Sequence, residues 1–166
     1  MVVQIKFKIQ QFYDTSMVKK SFHTGTVKKT IRIKASKDKV WRKISNISGL
    51  PTWVVDVKKT TYLSKKKTDV GAIRLITFED GNQIEEHVVA WKKGEYFTYI
   101  ATEGLPLRAY VATISIKPKS KNLIELTWQS YLNSEKMSEK EFLDFIVFMA
   151  AFYEASLENL KTSLEK

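Results

Sequence analysis

The chain contains no cysteine, which removes disulfides, thiolate nucleophiles and thiolate metal sites from consideration. It has two histidines, His23 and His87, far apart in sequence, and two isolated imidazoles do not supply the ligand set a zinc site needs. Proline and glycine are scarce, three and six in 166 residues, so there is no Gly/Pro-rich linker and no low-complexity tract. No apolar run approaches the roughly 18–20 residues of a membrane-crossing helix. The first residues, MVVQIKFKIQQFYD, lack the basic-then-apolar layout of a secretory signal, so the chain reads as cytoplasmic. There is no Ser/His/Asp set, no phosphate-binding glycine loop and no nucleotide fingerprint, and nothing in the sequence asks for a cofactor.

What is present is a basic, aromatic-rich chain. Lys and Arg number 28 against 18 Asp and Glu, a net charge of +10, and Phe, Trp and Tyr make up 12% of residues. The lysines fall in short groups at expected turns and strand ends: Lys58-Lys59, Lys65-Lys66-Lys67, Lys92-Lys93, then Lys117, Lys119 and Lys121. A solvated surface accounts for that pattern. A nucleic-acid or anionic-membrane partner is the alternative and requires one contiguous lysine face.

The periodicity is clearest at the C-terminal end. Ser138 with Glu141 forms a capping box. Behind it Phe142, Phe145, Ile146, Met149, Phe152, Tyr153, Ser156 and Leu157 recur at three- and four-residue steps, widened by Phe148 and Ala151, predicting one long helix over residues 138–165. Upstream the period changes to two. Residues 26–35 alternate as a strand. Ser36 and Asp38 start a short helix carrying Val40, Trp41, Ile44 and Ile47, which Gly49 is expected to stop, and Leu50-Pro51-Thr52-Trp53 opens a second short helix. From Val57 strands follow at hairpin spacing: 57–63, 72–78, 83–91, 96–102, 109–116, a short piece at 118–122, and 123–132, with Asp80-Gly81 the plainest hairpin signal. Residues 14–25 read as a loop. Val3, Ile5, Phe7 and Ile9 alternate, predicting an added N-terminal strand that joins a sheet edge or pairs across a homodimer. The order is α+β: one core strand, two short helices, about six further antiparallel strands and a long helix, in one domain over 26–166 with residues 1–25 as an extension.

The residues Val40-Trp41, Leu50-Pro51-Thr52-Trp53, Val70-Gly71-Ala72-Ile73-Arg74, Asp80-Gly81 before Glu85-Glu86-His87-Val88, Gly104-Leu105-Pro106-Leu107-Arg108-Ala109-Tyr110, and Leu126-Thr127-Trp128, in this order and spacing with the terminal helix, resemble the START-like (Bet v 1-like, SRPBCC) superfamily, and within it the polyketide cyclase/dehydrase and lipid-transport group. The resemblance implies a helix-grip fold, in which a curved sheet of about seven strands wraps the long helix and leaves a cavity for sterols, lipids, polyketides or hormones, sometimes with cyclase or dehydrase chemistry. The chain is also distantly similar to plant abscisic-acid receptors at Val70, Gly71, Arg74, Glu86 and Tyr110. It departs from them at Phe78-Glu79-Asp80-Gly81, where they carry their gate, and near Val54, where they carry a pocket lysine.

Strand parity then assigns the wall. Arg74, Ile76 and Phe78 share one face, as do Glu86 and Val88, so Arg74 and Glu86 are expected to pair inside. Tyr110 and Trp128 look inward from later strands, Tyr131 and His87 outward, and Phe145, Phe148, Met149 and Phe152 form the roof. Trp53 is expected to cover one end. The leading expectation is a carrier or sensor of a hydrophobic small molecule held by these residues, with Arg74–Glu86 either its polar anchor or a buried pair that only satisfies itself. The enzymatic alternative uses Glu86 as acid–base with Arg74 or Tyr110 as electrophilic partner.

Overall fold

The computed structural model describes residues 22–166; the expected N-terminal strand, and the homodimer through it, lie outside those residues. Seven strands form one antiparallel sheet: β1 (His23–Ile33), β2 (Val57–Tyr62), β3 (Ile73–Phe78), β4 (Gln83–Lys92), β5 (Tyr96–Glu103), β6 (Ala109–Ser120) and β7 (Leu123–Ser134). Their order is β1-β7-β6-β5-β4-β3-β2, so β2 to β7 run as a meander and β1 closes on β7. Two helices, α1 (Lys37–Ser45) and α2 (Glu139–Leu164), and a 3₁₀ helix (Ile47–Thr52) complete the chain. This is the α+β helix-grip arrangement.

Most boundaries fall within two residues of the expectation, and three differences have a clear local reason. β1 starts at His23 instead of 26, because its ladder with β7 continues to His23 opposite Ser134. Gly25 is therefore a strand residue. A Cβ there would come within 2.9 Å of the Ile146 Cδ1 and 3.3 Å of the Phe142 ring, so glycine lets α2 approach the strand. α1 ends at Ser45, not at Gly49: Asn46 already has extended backbone angles, and Gly49 lies inside the 3₁₀ helix, its N–H donating to the Asn46 carbonyl. The pieces expected at 109–116 and 118–122 are one strand. Pro118 pairs with Ile124 near a register shift at its exposed end, where its missing N–H is tolerated.

α2 is long because nothing in it breaks a helix and its start is capped. Ser138 Oγ accepts from the Glu141 N–H at 3.3 Å and Glu141 Oε2 accepts from the Ser138 N–H at 2.8 Å. At the other end Lys39 Nζ donates to the Leu164 carbonyl at 2.6 Å, placing a cation where the helix dipole favours one. Removing the cap with Ser138→Ala is expected to cost about 1 kcal/mol, a fall of about 2–4 °C in melting temperature measured by circular dichroism.

The two halves of α2 meet different surroundings. Its C-terminal half buries Tyr153, Leu157, Leu160 and Leu164 in a filled core with Ile33, Val40, Ile44, Ile124 and Leu126. Its N-terminal half spans the concave face of the sheet over open space.

Candidate functional site

That space is a cavity of about 650 Å³ bounded by the start of β2, by β3 to β7, the N-terminal half of α2, the end of the 3₁₀ helix and the Gly104-Leu105-Pro106 loop. Parity builds its wall as the alternation predicts. Arg74, Ile76 and Phe78 line it from β3, Glu86 from β4, Tyr110 from β6 and Trp128 from β7, while Phe145, Phe148, Met149 and Phe152 line it from α2. Trp53 closes the side under the 3₁₀ helix, its ring edge-on to Trp128 at 5.7 Å.

Val88 is a correction. It is buried but lies outside the cavity, packed with Ile47 and Ala72 in a separate small cluster. The Val88 N–H donates to the Ala72 carbonyl, and this far along β4 the face is covered by Ile47 of the 3₁₀ helix instead of opening into the space. Phe148 is placed differently from a roof residue: with 60% of its surface exposed it edges the mouth, against Phe145 and Phe152.

Arg74 and Glu86 face each other directly across the β3–β4 ladder. Arg74 is 3% exposed and Glu86 6%. Arg74 Nε donates to Glu86 Oε2 at 2.6 Å, and its Nη2 bonds the same oxygen. The guanidinium also lies over the Tyr99 ring, 4.8 Å from its centroid. Burial pushes the Glu86 carboxyl above its ordinary value, with the Arg74 charge and hydrogen bond pulling the other way.

A raised carboxyl has a defined consequence for stability. The native state keeps a proton at a pH where the unfolded chain has released it, so this contribution is complete below the ordinary value of 4.5 and is lost as pH rises through the native one. Glu125 and Glu141, held low by Lys119 and by the Ser138 cap, act in the opposite sense and lose their contribution on acidification. Glu86 is therefore read as a difference: the denaturation free energy of the wild type minus that of Arg74→Met/Glu86→Leu should fall as pH rises above about 4.5. A flat or rising difference would show that Glu86 is not perturbed upward.

Behind the pair runs a set of buried aromatic hydroxyls, of which the sequence reading named Tyr110 as a wall residue and Tyr153 as part of the helical stripe but left out Tyr99. Trp128 Nε1 donates to Tyr99 Oη at 3.0 Å, and the Tyr110 and Tyr153 hydroxyls bond at 2.5 Å. Burial, reinforced by neighbouring charges including Glu86, raises the Tyr99 and Tyr110 phenols well above their usual range, and burial raises Tyr153 as well, so all three are neutral hydroxyls. Tyr99 was legible: Phe97, Tyr99 and Ala101 alternate on β5, and their face is fixed by the pairing of Tyr99 with Ala112, on the same face as Tyr110.

The rim is acidic although the chain is basic. Asp56, Glu79 and Asp80 border the opening with Asn82. The Glu79 N–H donates to the Asp56 carbonyl at 2.9 Å, tying the β3–β4 turn to the segment before β2, and the Asp80 carboxylate accepts from the Asn82 N–H and Nδ2 at 2.9 and 2.7 Å. The lysine-bearing turns at Lys92-Lys93 and Lys119–Lys121 join the opposite strand ends, beside α1. His87 points outward, bonded to Glu85 at 2.6 Å on the far face of β4. Among the described residues no group of three His, Asp or Glu side chains is placed to hold a metal ion, and no helix is long and apolar enough to cross a membrane.

A sheet gripping a long helix around an apolar cavity with one buried ion pair defines a START-like, Bet v 1-like protein. The chain belongs to the polyketide cyclase/dehydrase and lipid-transport family, whose pattern matches residues 24–165. No curated protein matches it in sequence. Among solved structures it is similar to an uncharacterised protein of Bacillus thuringiensis, with 21% identity over 86% of this chain and 100% of that one and a TM-score of 0.73. It is similar to XoxI of Bacillus cereus, with 21% identity over 84% and 95% and a TM-score of 0.73. It is also similar to a point mutant of norcoclaurine synthase from Thalictrum flavum in complex with a transition-state analogue, with 18% identity over 87% and 96% and a TM-score of 0.67. At these identities the likeness establishes the shared fold.

Proposed function

We propose that the protein binds a hydrophobic small molecule, of the lipid, isoprenoid or polyketide-like kind, in the cavity between the sheet and α2, as a carrier or sensor. The cavity itself carries this reading. About 650 Å³ bounded largely by aromatic and aliphatic side chains is the size and character of a small-molecule site, and a soluble fold left with that much apolar wall is stabilised by an occupant. Arg74, Glu86, Tyr110, Trp128, Met149 and Phe152 are the residues proposed to contact it. Met149, unbranched and polarisable, suits a wall that adapts to ligand shape. Against acid–base chemistry by Glu86 with Tyr110 as its partner stands the Tyr110 hydroxyl, which is engaged with Tyr153.

The test is native mass spectrometry of the purified protein before and after incubation with a total lipid extract, followed by solvent extraction and identification of bound compounds. A stoichiometric apolar adduct is the expected result. A protein that carries none and takes up none would contradict the proposal.

A further inference from the structure

Two buried donors in the cavity wall have no acceptor among the described residues: Arg74 Nη1 and Trp53 Nε1. Both side chains line the cavity, and they are 3% and 1% exposed. The other two guanidinium nitrogens of Arg74 are fixed on Glu86, which leaves Nη1 as the unused arm of a held fork. A buried N–H without an acceptor is costly, more so on a charged group, and such an arrangement persists where an acceptor arrives with an occupant. Both orphans are donors. Neither wants a hydroxyl hydrogen or an ammonium; each wants an oxygen lone pair.

The charge around them narrows the oxygen further. Glu86 already balances Arg74, so the pair offers direction and polarity but no net positive charge when both are ionised. A ligand carboxylate beside it would add a buried negative charge without a counter-ion. It would also have to pass Asp56, Glu79 and Asp80 at the mouth, three carboxylates in a molecule whose total charge is otherwise positive. A neutral carbonyl meets neither obstacle, and the rest of the wall, with Ile76, Ile84, Ile114 and Phe152, accepts an apolar body.

Resting on the reading of the cavity as a hydrophobic-ligand site, we infer that its ligand class is a neutral apolar compound carrying a carbonyl-type acceptor oxygen, which takes the free Arg74 Nη1 hydrogen bond, in preference to the isosteric carboxylate and to the plain hydrocarbon.

The experiment is isothermal titration calorimetry of the whole chain with three probes of one shape: 2-acetylnaphthalene, 2-naphthoate and 2-ethylnaphthalene. The wild type is expected to bind the ketone about tenfold or more tighter than the hydrocarbon, the ordinary reach of one hydrogen bond from a charged donor, and tighter than the carboxylate at pH 7. In Arg74→Met/Glu86→Leu, which removes the donor without leaving a buried charge, the ratio of ketone to hydrocarbon affinity is expected to fall to about one, whatever the new apolar wall does to both. Equal binding of ketone and hydrocarbon by the wild type would overturn the inference and leave the hydrophobic-site reading standing, as would a ketone preference that survives in the double variant. Tightest binding of the carboxylate would overturn the choice of a neutral ligand. Failure of all three probes to bind would overturn the inference together with the reading on which it rests.

Discussion

Arg74→Met alone is expected to destabilise the fold by about 3–5 kcal/mol, the largest loss of any single substitution in the cavity wall. The cause is the partner left behind: Glu86 is 6% exposed, and among the described residues Arg74 is the cation bonded to it. Methionine keeps much of the arginine stem's volume, so the loss reports charge and not packing. Glu86 then relieves itself by taking up a proton, which makes the loss smaller at pH 5 than at pH 8. Adding Glu86→Leu to the same chain should restore most of the stability, since an apolar pair of similar volume is often as stable as a buried ion pair. Urea denaturation of the wild type, the two single variants and the double variant measures all four corners of this cycle. Single variants that lose less than about 1 kcal/mol would show that the pair is effectively hydrated.

The second large effect belongs to Gly104. Its φ is +90°, a backbone conformation that side chains oppose, and a Cβ at this position would lie 1.9 Å from the Gln83 carbonyl oxygen and 2.9 Å from Ile84 Cα. The obstacle is backbone on the neighbouring strand and cannot rotate away. Gly104→Ala is expected to cost about 3 kcal/mol or to force the end of β5 off β4. Because Gly104, Leu105 and Pro106 border the cavity, the displaced loop should also speed ligand exchange. Thermal unfolding gives the first quantity. An unchanged melting temperature would mean that the β5–β6 loop yields freely. Gly81, with φ +87° and no neighbour within 4 Å of its would-be Cβ, is the matched control, where only the backbone preference is lost.

Much of this architecture is legible before any coordinates. The change of period from two to 3.6 at Ser138 separates sheet from helix, and parity on β3 and β4 puts Arg74 opposite Glu86, where the ladder has them. What parity cannot carry is position along the strand. Val88 is on the correct face of β4, yet it sits past the point where the 3₁₀ helix takes over the cover, and a two-residue period is blind to that. Phe148 follows the helical spacing, but the spacing does not say that the sheet stops short of it. The rim is tertiary in the same way. Asp56 stands before β2 and Glu79-Asp80 on the β3–β4 turn, two segments that read as ordinary solvated loops, and the bond from the Glu79 N–H to the Asp56 carbonyl is what brings them together. The hydroxyls of Tyr99, Tyr110 and Tyr153 come from two strands and α2, and their contacts follow from the depth at which the helix crosses the sheet.

The central claim is that an apolar molecule sits inside the sheet–helix cavity and not on the outer surface. Methyl-resolved nuclear magnetic resonance on protein labelled at isoleucine, leucine, valine and methionine tests it directly, with 2-acetylnaphthalene as the titrant. The prediction is that shifts and ligand–methyl contacts concentrate at Ile76, Ile84, Ile114 and Met149, while Leu143 and Val147, exposed on the outer face of α2, stay where they are. Saturable shifts confined to Leu143 and Val147, with the four cavity methyls unmoved, would contradict it.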